Sequence, residues 1–331
     1  MSGKWKIAQS RRKRQKKIKL ALVTGAVVGL LFLAGALLNL TKTLNSPWQL
    51  QAEKNYFWDI RYNINVAVRG TGISLISFNP FEKTVLVIKL PPQTYLDVPG
   101  GFGKWQLRSV YDLEKSGFAG ADLLERTLTS FLAAPVEGFI QLKEGSAPTG
   151  EEYVARIRQN PLNIALALKD VSSDLSLLEL VRLNLALFQA RFDKVRLIDF
   201  ESAAALNKIN LPDQTEVLIG DPVRVDSVIS ALADKRVIEE HQTVAVFNAT
   251  ERPLIAQKAA RIIANLGGNV IQVSNSSRKL ETTVVFGQES ETLKRLKQIF
   301  GFGIIDLDPA ILSSRAQINV VLGEDFAKQY Q

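Results

Sequence analysis

ISLISFNPFEKTVLVIKLPP, residues 73–92, holds two short apolar runs separated by a break. Ile73 to Phe78 is mostly apolar, Asn79-Pro80 and the charged pair Glu82-Lys83 interrupt it, and Val85 to Leu90 follows with one polar residue. Asn-Pro marks a turn, and apolar runs of this length bounded by turn signals read as strands. The spacing predicts two paired strands, the second buried on both faces. Pro91-Pro92 ends it, because proline has no N–H to give to a ladder.

Downstream the period changes. Leu123, Leu124, Thr127, Leu128, Phe131 and Leu132 share one helical face, Pro135 closes that helix, and Phe139 to Leu142 reads as a strand. Ser176 and Glu179 have the spacing of a capping box. The helix behind them, 177–188, is apolar nearly all round and is expected inside a sandwich of layers. Val195 to Phe200 is a further strand. Strands interleaved with helices predict a layered α/β domain over residues 61–235. A polar stretch, 236–242, reads as a linker. Beyond it a second, small α/β domain over 243–326 follows the order β-α-β-β-α-β, with strands at 244–247, 270–273, 282–286 and 318–322 and helices at 254–266 and 290–300. One more short strand is expected at 303–305. Gly267 and Gly301 stand just past the two helices, where a left-handed C-cap wants glycine.

The N-terminus is of another kind. Leu20 to Leu38 has no charge over nineteen residues, and a helix of that length spans roughly 28 Å, close to the ~30 Å hydrocarbon core of a bilayer. Nine Lys and Arg precede it and only Lys42 and Lys54 follow closely. The expected topology is a basic cytoplasmic tail at 1–19, a transmembrane helix at 20–40, a stalk at 41–60, and two extracytoplasmic domains. Localisation is thus expected at the cell membrane, single-pass. Trp48, Tyr56, Phe57 and Trp58 in the stalk fit either the headgroup region or the first contacts of the folded domain. Gly25 and Gly29 form a GxxxG pair through which two anchors could meet as a homodimer.

Among 331 residues there are 41 Lys+Arg against 33 Asp+Glu, a formal charge of +8. The tail up to Lys19 carries +9 with no acid, so the remainder sums to 32 − 33 = −1. The folded part is not basic, and no nucleic-acid partner is expected. The absence of Cys rules out disulfides, thiolate metal sites and cysteine nucleophiles, and a single His rules out two-histidine metal sites. His241 falls in the expected linker without a recognisable partner. The glycine-rich loop at 100–103 lacks the Lys-Ser/Thr of a phosphate-binding P-loop.

Several stretches in order resemble one family. Phe78-Asn79-Pro80, VLVIKLPPQTYLDVPG (85–100), Lys104 to Tyr111, GADLLERTLTSFLAAPVEGFIQL (120–142) and SSDLSLLELVRLNLAL (172–187) are similar to the LytR-CpsA-Psr family of cell-envelope proteins. Val246-Phe247-Asn248-Ala249-Thr250 and Val320 to Phe326 resemble the LytR C-terminal domain that often follows. For catalytic members the resemblance implies a polyprenyl-pyrophosphate-linked glycopolymer, its lipid tail in an apolar pocket, transferred to a peptidoglycan hydroxyl. Arginines would neutralise the pyrophosphate, and acids would hold Mg²⁺ or take a proton.

Here the pattern departs from the family. Arg69-Gly70-Thr71-Gly72 stands where the family has Arg-Ser-Asp-Thr, and Pro91-Pro92-Gln93-Thr94 where it has Pro-Arg-Asp-Thr. Gln106 to Tyr111 replaces Lys-Ile-Asn-x-x-Tyr, with Arg108 as a shifted cation, and the later arginine-rich segment is reduced to Ala155-Arg156-Ile157-Arg158-Gln159. Thr and Gln cannot replace a metal-binding carboxylate. No catalytic or metal-binding residue is assigned, and no cofactor is expected unless the transferase reading holds, which would require Mg²⁺.

Arg69, Arg108, Arg156 and Arg158 remain as a candidate anion site, against the simpler reading as paired surface charges. Asp97 and Asp112 flank the region, and Trp105 offers a ring for stacking on a sugar. Three functions stay open. The preferred one is a catalytically degenerate module that binds a polyprenyl-linked or cell-wall glycan ligand or scaffolds wall assembly. The second is an active phosphotransferase attaching glycopolymers to peptidoglycan. The third is a ligand-free structural interaction protein.

Overall fold

The computed structural model describes residues 57–114, 117–143, 149–301 and 314–330. The expected tail, anchor, most of the stalk, the Gly25–Gly29 pair and the strand expected at 303–305 lie outside the described residues. No described helix is long and apolar enough to cross a membrane.

The break at Asn79-Pro80 is a turn between two antiparallel strands, β2 (Ile73–Asn79) and β3 (Thr84–Leu90), in register Phe78↔Val85 and Ile73↔Leu90. The Asn79 side chain accepts from the amides of Phe81 and Glu82 and holds the turn. β1 (Ile64–Arg69) pairs antiparallel with β2 on its other side. β6 (Gly138–Leu142) runs parallel to β1, β7 (Val171–Ser173) closes that edge, and β8 (Val195–Asp199) lies parallel to β3. The resulting six-stranded mixed sheet has the order β7-β6-β1-β2-β3-β8.

Strand alternation divides the core in two. Leu86 and Ile88 point to one face with Ala67, Leu75 and Phe139, beneath the helix α2 (Gly117–Leu132). A short helix α1 (Leu107–Val110) and the hairpin β4 (Tyr95–Val98)–β5 (Gly103–Gln106) complete that face. Val85 and Val87 point to the other face with Val66, Ile76 and Phe78. There the cover is α3 (Gly150–Gln159), α4 (Leu162–Asp170) and α5 (Leu177–Gln189).

The expected capping box is present, and Glu179 does more than cap. One oxygen accepts from the Ser176 amide at 2.8 Å, the other from the Trp58 amide at 2.8 Å. Trp58 is buried edge-on against Phe78 at 6.1 Å. Of the two readings of the stalk aromatics, Trp58 follows the second, as the first core contact of the domain. Helix α5 corrects the sequence reading. Of its leucines Leu180, Leu183 and Leu187 are buried, while Leu178 and Leu185 are exposed, because α5 forms the outer layer and no described element lies above it.

A two-stranded hairpin, β9 (Leu206–Asn210) and β10 (Glu216–Gly220), leads into α6 (Pro222–Ile229). The stretch read as a linker carries a helix, α7 (Lys235–Glu240), capped by Asp234 and anchored by buried Val237. The small domain then follows as β11 (Thr243–Asn248), α8 (Ile255–Asn265), β12 (Asn269–Asn275), β13 (Val284–Gly287), α9 (Glu291–Phe300), β14 (Ile318–Leu322) and α10 (Glu324–Tyr330). From β11 to β14 the described elements follow the expected order, and α10 is an element the sequence reading did not expect. The sheet order β12-β11-β14-β13 is set by β11 pairing in parallel with both β12 and β14. Gly267 ends α8 at φ +105°, with Gly268 N–H on the Ile263 carbonyl and Gly267 N–H on that of Ala264. That is the double hydrogen bond of a left-handed glycine cap.

The two α/β parts share one interior. Arg295 of α9 is fully buried and forks onto Glu137, with 2.7 and 3.1 Å contacts. It also donates to the Asn63 carbonyl at 3.0 Å, lies 4.0 Å from Asp234, and stands over the Tyr62 ring at 5.4 Å. Burial holds the Asp234 carboxyl above its ordinary range even beside Arg295. Arg261 and Asn265 of α8 both reach Asp226 of α6, at 2.7 and 2.8 Å. At the C-terminus, burial pushes the Tyr330 hydroxyl up to about 12, although part of that residue stays exposed.

Glu240 adds a contact across the junction. Its two oxygens accept from the amides of Glu291 and Thr292, each at 2.7 Å, so α7 caps the first turn of α9. Burial raises this carboxyl, but the Thr292 hydroxyl and the two amides outweigh it and the net position is below the ordinary 4.5. A carboxyl lowered on folding stabilises above its unfolded value and loses that contribution as pH falls through the folded one. Native protein should therefore lose more stability than Glu240→Gln on acidification below about pH 4.5, which paired urea titrations at neutral and acid pH would read. Arg295→Met strands Glu137 and should cost about 3–5 kcal/mol by urea unfolding, with part recovered in Arg295→Met/Glu137→Leu.

Candidate functional site

The segments 69–73, 90–94 and 104–111 come together at one end of the large sheet. β1 ends at Arg69 and β3 at Leu90, on either side of Ile73. The turn at 91–94 after β3 is closed by the Thr94 amide and hydroxyl, both donating to the Pro91 carbonyl. The amides of Leu107 and Arg108 then donate to the carbonyls of Thr94 and Pro92, which seats α1 against the turn. Three residues on, the Tyr111 ring stacks on Phe139 at 5.3 Å. Gly120 lets α2 close over this point, since a Cβ there would lie 2.3 Å from the Tyr111 carbonyl oxygen.

Arg69 is at the centre and is fully engaged. Its guanidinium lies over the Tyr111 ring at 4.2 Å, donates to the Gln141 side chain at 2.9 Å, and pairs with Asp112 at 3.2 Å. Gln141 returns a hydrogen bond to the Arg69 carbonyl at 3.2 Å. Arg108 is exposed beside this cluster. An anion arriving here must compete with Asp112, a carboxylate with most of its side chain in water.

The other two arginines are elsewhere. Strand alternation turns Arg69 to the α2 face, whereas Arg156 and Arg158 sit on α3, across the sheet. Arg156 pairs with Asp170 at 3.1 Å. Arg158 donates to the Ala190 carbonyl at 3.1 Å and lies 5.6 Å from the Phe192 ring. The four candidates thus divide into two and two. Among the described residues no group of three Asp, Glu or His converges as a metal cage. At the Arg69 cluster the one engaged carboxylate is Asp112, already held by a cation, and Thr71 and Gln93 occupy the acidic positions of the family. This donor set does not fit Mg²⁺. Asp97 is exposed on β4, Trp105 is exposed on β5, and His241 is the left-handed C-cap of α7.

Sequence reading missed one cationic site. At the opposite end of the sheet a cleft of about 500 Å³ is lined by Asn79, Thr84, Lys194, Arg196, Ser230 and Lys235 among others. Lys194 stands just before the edge strand β8 and Arg196 lies on it, and Lys235 pairs with Glu82 at 3.7 Å. These residues are scattered over more than a hundred positions of chain, and the β3–β8 pairing together with the chain between α6 and α7 brings them to one place.

Comparison with known proteins separates the two parts. Residues 241–326 match the family described as LytR cell envelope-related transcriptional attenuator, the LytR C-terminal domain. No curated protein matches the chain. Solved structures with some likeness include Bacillus subtilis TagT, at 16% identity over 56% of this chain and 94% of that one, with a TM-score of 0.37. B. subtilis TagV gives 14% identity over 52% and 95%, at 0.38. The LytR-CPS2A-psr family protein YwtF (TagT) with bound octaprenyl pyrophosphate lipid gives 15% over 56% and 94%, at 0.37. Overlaps this loose transfer no residue roles. Residues 241–326 thus match the LytR C-terminal domain and follow an α/β domain built on the six-stranded sheet.

Proposed function

We propose that this is a membrane-anchored cell-envelope protein whose first domain binds a polyprenyl-linked or wall-glycan ligand without transferring it. The observation that supports this reading is the state of Arg69. A transferase needs free cations and a carboxylate at this sheet end, and here the one central arginine is tied to Asp112, Gln141 and Tyr111. Removing several groups that act as one unit abolishes a reaction rather than trimming it. Similarity to a family with a structure holding octaprenyl pyrophosphate supports the ligand class. The extracytoplasmic placement rests on the uncharged stretch 20–38 and the basic tail before it.

Native mass spectrometry of the detergent-solubilised full-length protein with a polyprenyl pyrophosphate and Mg²⁺ tests the reading. An intact lipid adduct is expected. Conversion to polyprenyl monophosphate would make the protein an enzyme, and no adduct, beside a family member that binds, would leave a scaffold. If Asp112 competes with the ligand for Arg69, Asp112→Asn should bind inorganic pyrophosphate more tightly by calorimetry. An exposed ion pair is worth about 0.2–1 kcal/mol, so the gain should reach about five-fold at most and vanish in Arg69→Gln/Asp112→Asn.

A further inference from the structure

The outer layer of the large domain carries exposed leucines that no described element covers. On α4 Leu162 and Leu166 are 70% and 47% exposed, one helical turn apart. On the adjacent α5 Leu178 and Leu185 are 58% and 45% exposed, two turns apart on one face. Both helices turn their other sides to the same core, so the two leucine rows look outward from one layer. Four exposed leucines on two neighbouring helices of one layer mark a candidate contact site.

Two further features identify the contact. The first is charge. From Gln159 to Phe192 every carboxylate is buried or partly buried, Glu179 and Asp174 in hydrogen bonds and Asp170 with Arg156. The next one, Asp193, is held by Arg191 at 3.0 Å. The exposed carboxylates of this layer, Glu151 and Glu152, lie on the first turn of α3, and neither α4 nor α5 presents one. The second is where the chain arrives. The Trp58 amide and carbonyl are bound by Glu179 and Arg182, both on α5, and Phe57 beside them is 68% exposed. Between the end of the expected anchor at 40 and Phe57 lie 16 residues, which reach at most roughly 55 Å when extended.

We propose that the leucine rows of α4 and α5, with Phe57, rest in the headgroup region of the bilayer, so that this layer is the membrane-facing side of the domain. The inference rests on the reading of residues 20–40 as a transmembrane helix. Shallow insertion of leucine and phenylalanine side chains from a helix lying in the interface plane is a known mode of surface binding.

The chain has no native cysteine, so single introduced thiols report cleanly. Full-length Leu166→Cys, Leu185→Cys and Val223→Cys would each be labelled with an environment-sensitive dye in liposomes of phosphatidylethanolamine and phosphatidylglycerol. Lipids with a nitroxide near the headgroup act as quenchers. Val223 is 78% exposed on α6, which packs on the other face of the sheet, and serves as the control. Quenching at 166 and 185 should exceed that at 223 by at least two-fold, with unchanged melting of all three variants. Equal, weak quenching in protein that resists alkaline carbonate extraction would overturn the inference and leave the anchor reading intact. Release by carbonate would overturn both. Weak quenching with efficient 185–185 cross-linking would assign the face to a second copy of the chain.

Discussion

A single guanidinium fixes how the two α/β parts meet. Arg295 carries a full charge out of water, and such a charge is tolerated only when it is paired and hydrogen-bonded. Glu137 answers from the loop before β6, Asn63 from the lead into β1, and Asp234 from the cap of α7. These groups come from three separate parts of the chain, so none can shift without stranding the others. Tyr62, one residue from Asn63, closes the shell with its ring toward Arg295 and its hydroxyl on Glu291 at 2.9 Å. The strand that starts the large sheet and the helix that covers the small one are therefore set by the same contact.

Much of the architecture is legible where the pattern is local. The break at Asn79-Pro80, the face of α2 and the Ser176–Glu179 box each place an element from a few neighbouring residues. The helix α3 is not legible in that way. GEEYVARIRQ offers Tyr153, Val154 and Ile157 as its large buried residues among four charges, and the reading of its arginines as binding groups masks their helical spacing. β9 is exposed along most of its length, so it has no alternation to detect. The order of strands along the small domain does not state which ones pair. That depends on β11 bonding on both sides, a property of the assembled sheet.

The candidate site shows the same division. Arg69 and Arg108 fall at one sheet end because β1, β3 and α1 all terminate there, and the spacing of the similar stretches anticipates this. Arg156 and Arg158 do not join them, since one residue of phase along a strand decides which face a side chain meets. The ion pair of Arg69 with Asp112 spans 43 positions and depends on the turn that sets Tyr111 on Phe139. Loss of the family's acids is visible in the letters. Capture of the remaining arginine by a neighbouring acid is visible only in three dimensions.

The cap that Glu240 places on α9 bears on what counts as a module. The match to the LytR C-terminal domain begins at residue 241, one position after the carboxylate that holds the first turn of its second helix. Asp234, which faces Arg295, lies still further upstream. The unit of sequence inheritance is thus shorter than the unit of folding. Truncation at the inherited boundary would leave α9 with its Ser290 cap but without the Glu240 contacts to its first turn, and would strip Arg295 of Glu137, Asn63 and Asp234.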